Sequence, residues 1–128
     1  MDHDPELDKV FESVADYFGL LAEPARLKIL HCLCDGERAV AEVVGQSGLS
    51  QTNTSRHLNL LYRAGIVGRR KEGSTVFYRL IDPNFPSICR TVCIQIASGG
   101  ATNLPQRPSK ASLKKVGRSL ELASEQQE

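Results

Sequence analysis

Cys32, Cys34, Cys89 and Cys93 are the side chains of this 128-residue sequence best equipped for chemistry. Thiolates bind soft metals, and thiols exchange with oxidants and other sulfur species. Cys89 and Cys93 are four residues apart, so on a helix they share one face. Cys32 and Cys34 are two apart, about 200° around a helix. They face opposite ways and cannot chelate one ion together unless the chain frays at Asp35-Gly36. Three readings stand open. Thiols from two elements pair under oxidation. Alternatively, Cys89 and Cys93, joined by Cys32, Cys34 or a partner-chain residue, hold a soft metal or arsenite. In the third reading the cysteines are inert, since free Cys is among the most buried residue types. Arg90 beside Cys89, and a place near a helix start, favour a thiolate at Cys89. Cys93, deeper in the same helix, reads as a packing residue. His31 reads as a partly buried polar residue, and His3 lies in an acidic terminus.

The elements that must position these thiols follow from periodicity. Leu7, Val10, Phe11, Val14, Phe18 and Leu21 recur at spacings of three and four among acids, which predicts an amphipathic helix over 6–21. Gly19 marks a candidate break. Pro24 suits the first turn of a second helix running to Cys34, apolar on nearly every side and therefore central. Ala39 to Gly45 is a third, short helix, and Ser47-Gly48-Leu49 a tight turn. Ser50 is an N-cap for a fourth helix from Gln51 to about Arg63, closed by Ala64-Gly65. Leu58, Leu61 and Tyr62 cover its inward face. Ile66–Lys71 and Thr75–Leu80 are strands, joined through Glu72-Gly73-Ser74 as a hairpin. Pro83 and Pro86 open a fifth helix from about Phe85 to Ala97, stopped by Ser98-Gly99-Gly100. Residues 98–128, without an aromatic residue, read as a flexible tail. Residues 1–97 read as one domain.

The short helix, the turn and the capped helix form a helix-turn-helix, and the hairpin after it forms a wing. In that arrangement the fourth helix lies in the DNA major groove with its first turns against base edges. Those positions are Gln51, Thr52, Asn53, Ser55 and Arg56, with His57 behind them. Gln, Asn and Arg can make bidentate base contacts, and hydroxyls serve bases or phosphates. Arg69, Arg70 and Lys71 lead into the wing turn and Ser74 lies in it, placed for phosphate or minor-groove contact. Charge follows the same division. Residues 50–80 hold six bases and one acid, whereas residues 1–18 hold six acids and one base. A basic block inside a folded pattern is the footprint of a polyanion-binding face.

Apolar residues make up 41% and charged residues 24%, as for a globular domain. No apolar run is long enough to span a membrane, and the acidic start is no signal peptide, so a cytoplasmic location is expected. No Cys-x-x-Cys, phosphate loop or nucleophile–base arrangement points to an enzyme. A winged helix used only for protein contacts is the alternative from another class. It does not require the polar reading face or the basic wing.

These segments resemble the ArsR/SmtB family of bacterial sensor-repressors. Leu21-Ala22-Glu23-Pro24-Ala25-Arg26-Leu27-Lys28-Ile29-Leu30 is similar to the family's second helix. Ser50 through Leu61 is similar to its recognition helix, and Gly65-Ile66-Val67, Gly68 through Gly73 and Tyr78-Arg79-Leu80 to its wing. The resemblance covers roughly residues 6–97. It implies a mainly α fold with a two-stranded β wing, and a homodimer built through the first and last helices. It further implies an imperfect palindrome of double-stranded operator DNA as partner, and release by an effector or oxidation. Two sensor sites of the family are missing. Ala39-Val40-Ala41 stands where metalloid sensors carry Cys-Val-Cys, and the last helix has neither the His nor the acids of zinc sensors. Persulfide- and redox-responsive members pair a second-helix Cys with a last-helix Cys; His31, one residue before Cys32, aligns with the former. The cofactor expectation is therefore none, with a thiolate-bound metal or metalloid as the alternative.

Overall fold

The computed structural model describes residues 2–99, so the expectations for the tail lie outside the described residues. The order is α1 (Pro5–Leu21), α2 (Pro24–Leu33), β1 (Arg38–Ala39), α3 (Val40–Ser47), α4 (Gln51–Arg63), β2 (Val67–Glu72), β3 (Thr75–Leu80) and α5 (Asn84–Ala97). Each start has a local cause. Asp4 accepts the Glu6 N–H at 3.0 Å ahead of α1, and Pro5 occupies its first turn. Gly19 does not break α1, which runs through to Leu21. Pro24 opens α2. Ser50 Oγ accepts the Asn53 N–H at 3.1 Å and caps α4.

The core is one cluster. Ile29, Leu30 and Leu33 of α2 meet Val43 of α3, Leu58 and Leu61 of α4, Ile66 and Val67 at the wing's base, Tyr78 of β3 and Phe85 of α5. The second helix is central, as its all-round apolar pattern requires. Its outer side still shows solvent at Leu27 and Lys28.

The sheet has three strands rather than two. β1 pairs antiparallel with β3 at Arg38↔Tyr78 and Ala39↔Phe77, and β3 pairs with β2 from Val67↔Leu80 to Glu72↔Thr75. Two residues are too few to show an alternating pattern, and Ala39 reads by propensity as helix. Instead its backbone is extended and it serves as the N-cap of α3. Alanine has no acceptor to offer the helix. The Glu42 carboxylate supplies the other half of the cap, accepting the Ala39 N–H at 3.0 Å. The strand pairing also narrows the hairpin turn to Gly73-Ser74, with Gly73 at φ +61°. A positive φ at the first of two turn residues is the place for glycine. Gly48, at φ +75°, likewise closes α3 and sets the angle to α4.

Candidate nucleic-acid interface and thiol cluster

One face of α4 is apolar and one is not. Leu58, Leu61 and Thr54 are fully buried, while Gln51, Thr52, Asn53, Ser55 and Arg56 are exposed. Thr54 resolves its hydroxyl by donating to Ser50 O at 2.8 Å. Arg56 donates to Asn53 Oδ1 at 3.0 Å, so the two side chains are held side by side on the open face. The structure thus gathers the five residues expected to read bases onto one accessible surface. No acid stands among them.

Two assignments on α4 change. His57 is only 6% exposed, and its Nε2 lies 3.5 Å from Glu23 at the head of α2. It points into the protein because position 57 falls three after Thr54 and one before Leu58, on the buried side of the helix. His57 is therefore a packing residue and not part of the open face. Glu23 also holds Arg26 at 2.7 Å, and Arg26 donates to Leu20 O and Gly19 O at the end of α1. Tyr62 was expected inside, yet it is exposed and carries the Arg69 guanidinium 4.0 Å above its ring.

The three wing bases separate by strand alternation. Arg69 lies on the side of Tyr62 and Tyr78, where hydrogen bonding to Tyr78 raises its pKa. Lys71 is exposed and, with Arg69, lines a shallow basic recess that includes both tyrosines. Arg70 is on the other side and is held by Glu37 and Glu72, each with a 2.7 Å ion pair. It is not an open phosphate clamp. Ser74 is exposed at the turn. Sequence reasoning missed Glu37, whose partner lies 33 residues away with no local signal.

The four thiols are all free. Cys32 and Cys34 are both buried in the core cluster, at 8% and 2%. Cys32 feels the charge of Arg38, whereas Cys34, at the C-cap of α2, feels Cys89. Cys89 Sγ is 3.9 Å from Cys93 Sγ on the half-buried face of α5. Cys89 thus has two thiol neighbours, Cys93 one turn along α5 and Cys34 at the end of α2. Burial sets their chemistry. It pushes Cys34 up to about 12, with Cys89 adding to the effect. It pushes Cys89 up to about 12 as well, with Cys93 adding to it. The thiolate expected at Cys89 is therefore not favoured. Cys89, rather than Cys93, is the residue packed against the core. Among the described residues no three His, Cys, Asp or Glu side chains stand together as a metal site. His31 is half-buried and its Nε2 has no hydrogen-bond partner.

α1 and α5 present the remaining feature. Leu7, Val10, Phe11, Val14 and Phe18 are exposed along α1, Phe11 at 61%, and Val92 and Ile94 along α5. An open, mainly apolar groove of about 660 Å³ runs between the two helices. Tyr17 closes its floor by donating to Asp82 at 2.5 Å. Burial and the Asp82 carboxylate raise the pKa of Tyr17. Among the described residues no helix is long and apolar enough to cross a membrane.

A braced helix with a polar, acid-free outer face, followed by a basic hairpin, defines a winged helix-turn-helix. The family model for the bacterial regulatory protein, arsR family, matches residues 23–68. The chain is 32% identical over 97 residues to the HTH-type transcriptional regulator Rv0081 of Mycobacterium tuberculosis, across 73% of this chain and 85% of that protein. The chain belongs to the arsR family. Its fold matches NolR from Sinorhizobium fredii at a TM-score of 0.68 with 29% identity, over 73% and 94% of the two chains. It also matches the homodimeric winged helix-turn-helix DNA-binding domain Mb0332 from Mycobacterium bovis, at a TM-score of 0.65 with 26% identity, over 83% and 97%. As a member of a family of bacterial regulatory proteins, the chain is a DNA-binding transcriptional regulator and not an enzyme.

Proposed function

We propose that this protein is a homodimeric repressor that reads an imperfect palindrome and releases it when its α2–α5 thiols are oxidised. The observation that carries the DNA half is the open face of α4, where Gln51, Thr52, Asn53, Ser55 and Arg56 are exposed together. Arg69, Lys71 and Ser74 of the wing hold the flanking backbone. Repression agrees with the name of a similar protein, the probable mercury resistance operon repressor of Streptomyces lividans, 40% identical over 72 residues, 56% of this chain and 58% of that one. The second copy covers the apolar face of α1 and α5, as contiguous exposed apolar surface of this kind marks an interface.

The switch half rests on the nearness of Cys34 to Cys89, which itself lies 3.9 Å from Cys93. A hydroperoxide oxidises Cys34 and Cys89 to a disulfide, yielding an alcohol and water. A persulfide gives the same bond, yielding a thiol and hydrogen sulfide. Either links α2 to α5 and alters the elements that hold α4 and the dimer. Burial keeps both groups as thiols near neutrality, which predicts a slow switch until an opening motion exposes them.

The test is DNA-binding anisotropy on reduced protein, challenged in turn with peroxide, an organic persulfide and arsenite, alongside intact mass. Release with a loss of two hydrogens, absent in Cys34→Ser and Cys89→Ser, is expected. Release by arsenite alone, reversed by a dithiol, would replace oxidation with metalloid binding. No release under any challenge would make the thiols packing residues.

A further inference from the structure

Arg70 sits between two carboxylates on one face of the wing. It pairs across the sheet with Phe77 and lies 4.5 Å above that ring. Glu72, two residues on, shares its face. Glu37 arrives from the α2–β1 connection, because β1 pairs beside β3 and brings residue 37 level with the middle of the hairpin. Arg70 Nε lies 2.8 and 3.0 Å from the two oxygens of Glu37, and a terminal nitrogen lies 2.7 Å from one of them. The other terminal nitrogen lies 2.7 Å from Glu72. Hydrogen bonding from Arg70 holds the Glu37 carboxyl below its ordinary range. Arg79, on the same face of β3, also acts on Glu37, so the two carboxylates stand among two guanidiniums while the Arg70 fork itself is filled.

The guanidinium fork that would take a phosphate in bidentate fashion is filled by a carboxylate of similar geometry. We infer that Glu37 is an internal stand-in for DNA phosphate: it occupies the Arg70 fork in the free protein, and DNA must displace it to gain that contact. Glu37 thereby sets how tightly the protein holds any DNA, without selecting sequence. The inference rests on the DNA-binding reading above. Contact through the fork belongs to the bound state, and in the free state the exposed bases Arg69, Lys71 and Arg79 carry the wing's remaining positive charge.

The experiment measures anisotropy on one duplex of fixed sequence across a salt series. It compares the intact protein with Glu37→Gln, Arg70→Gln, the double variant, and Glu12→Gln as a control for net charge. Each phosphate contact adds about 0.9 to the slope of log affinity against log salt. Glu37→Gln is expected to bind more tightly, with a gain that shrinks about threefold for each fourfold rise in salt. Arg70→Gln should weaken binding, and Glu37→Gln should add nothing in that background. Glu12→Gln should gain little. Thermal melts identify folded variants, and Glu37→Asp, whose shorter arm keeps the charge, should show a smaller gain if Glu37→Gln melts early. Unchanged or weaker binding by folded Glu37→Gln overturns the inference, as does an equal gain without Arg70. Wild-type protein that binds no DNA at any salt overturns the DNA-binding reading itself.

Discussion

At the scale of single residues, Arg56 and the thiols carry the sharpest consequences. Arg56 is held against Asn53 on the open face of α4. Arg56→Ala should cost about 1–3 kcal/mol of base discrimination, about five- to 150-fold in preference for the selected sequence. Competition anisotropy with single-base variants of that DNA checks this, and an unaltered preference would remove Arg56 from the reading set. Cys34 and Cys89 make a different prediction. Their folded values lie near 12 against an ordinary value of 9.0. Above 9 the unfolded chain loses these protons first, so stability is full below pH 9 and falls as pH rises toward 12. Melting temperature should decline on the alkaline side, and less steeply in Cys34→Ala than in the parent. The sequence showed which thiols share a helix face. It did not show that burial would outweigh Arg90, because desolvation depends on neighbours far along the chain.

At the scale of elements, the recognition helix depends on its cap and its buried side. Ser50→Ala removes the acceptor for the Asn53 N–H and should cost about 1 kcal/mol. Leu58→Ala leaves a cavity under the helix and should cost about 2–5 kcal/mol. Denaturant unfolding separates the two. All five helices, the hairpin and the α4 cap were legible because each has a local cause: a period, a capping residue or a glycine turn. β1 was not legible. Two residues form a strand there only because β3 offers an edge, which is information about 40 residues downstream, at Tyr78 for Arg38. The burial of His57 and the exposure of Tyr62 were equally hidden. Both lie near the boundary of the apolar stripe, where a shift of a few tens of degrees decides inside from outside. The connection from Cys34 to Glu37 spans only four residues, yet it joins the thiol cluster to the wing.

At the scale of the whole molecule, reading an inverted repeat needs two copies. The stripe from Leu7 to Phe18 on α1 and Val92 and Ile94 on α5 are uncovered in one chain. Phe11→Glu, together with Val14→Glu, should give a folded monomer by light scattering and lose operator binding, since one α4 reaches one half-site only. A dimer that survives both changes would place the interface elsewhere. In the proposed dimer, two α4 helices read DNA about one helical turn, 34 Å, apart. Selecting bound sequences from a random DNA pool with the reduced protein tests this most directly. The expected result is an enriched inverted repeat with half-site centres about 10 base pairs apart. Enrichment of a lone half-site, or no enrichment over the starting pool, would contradict it.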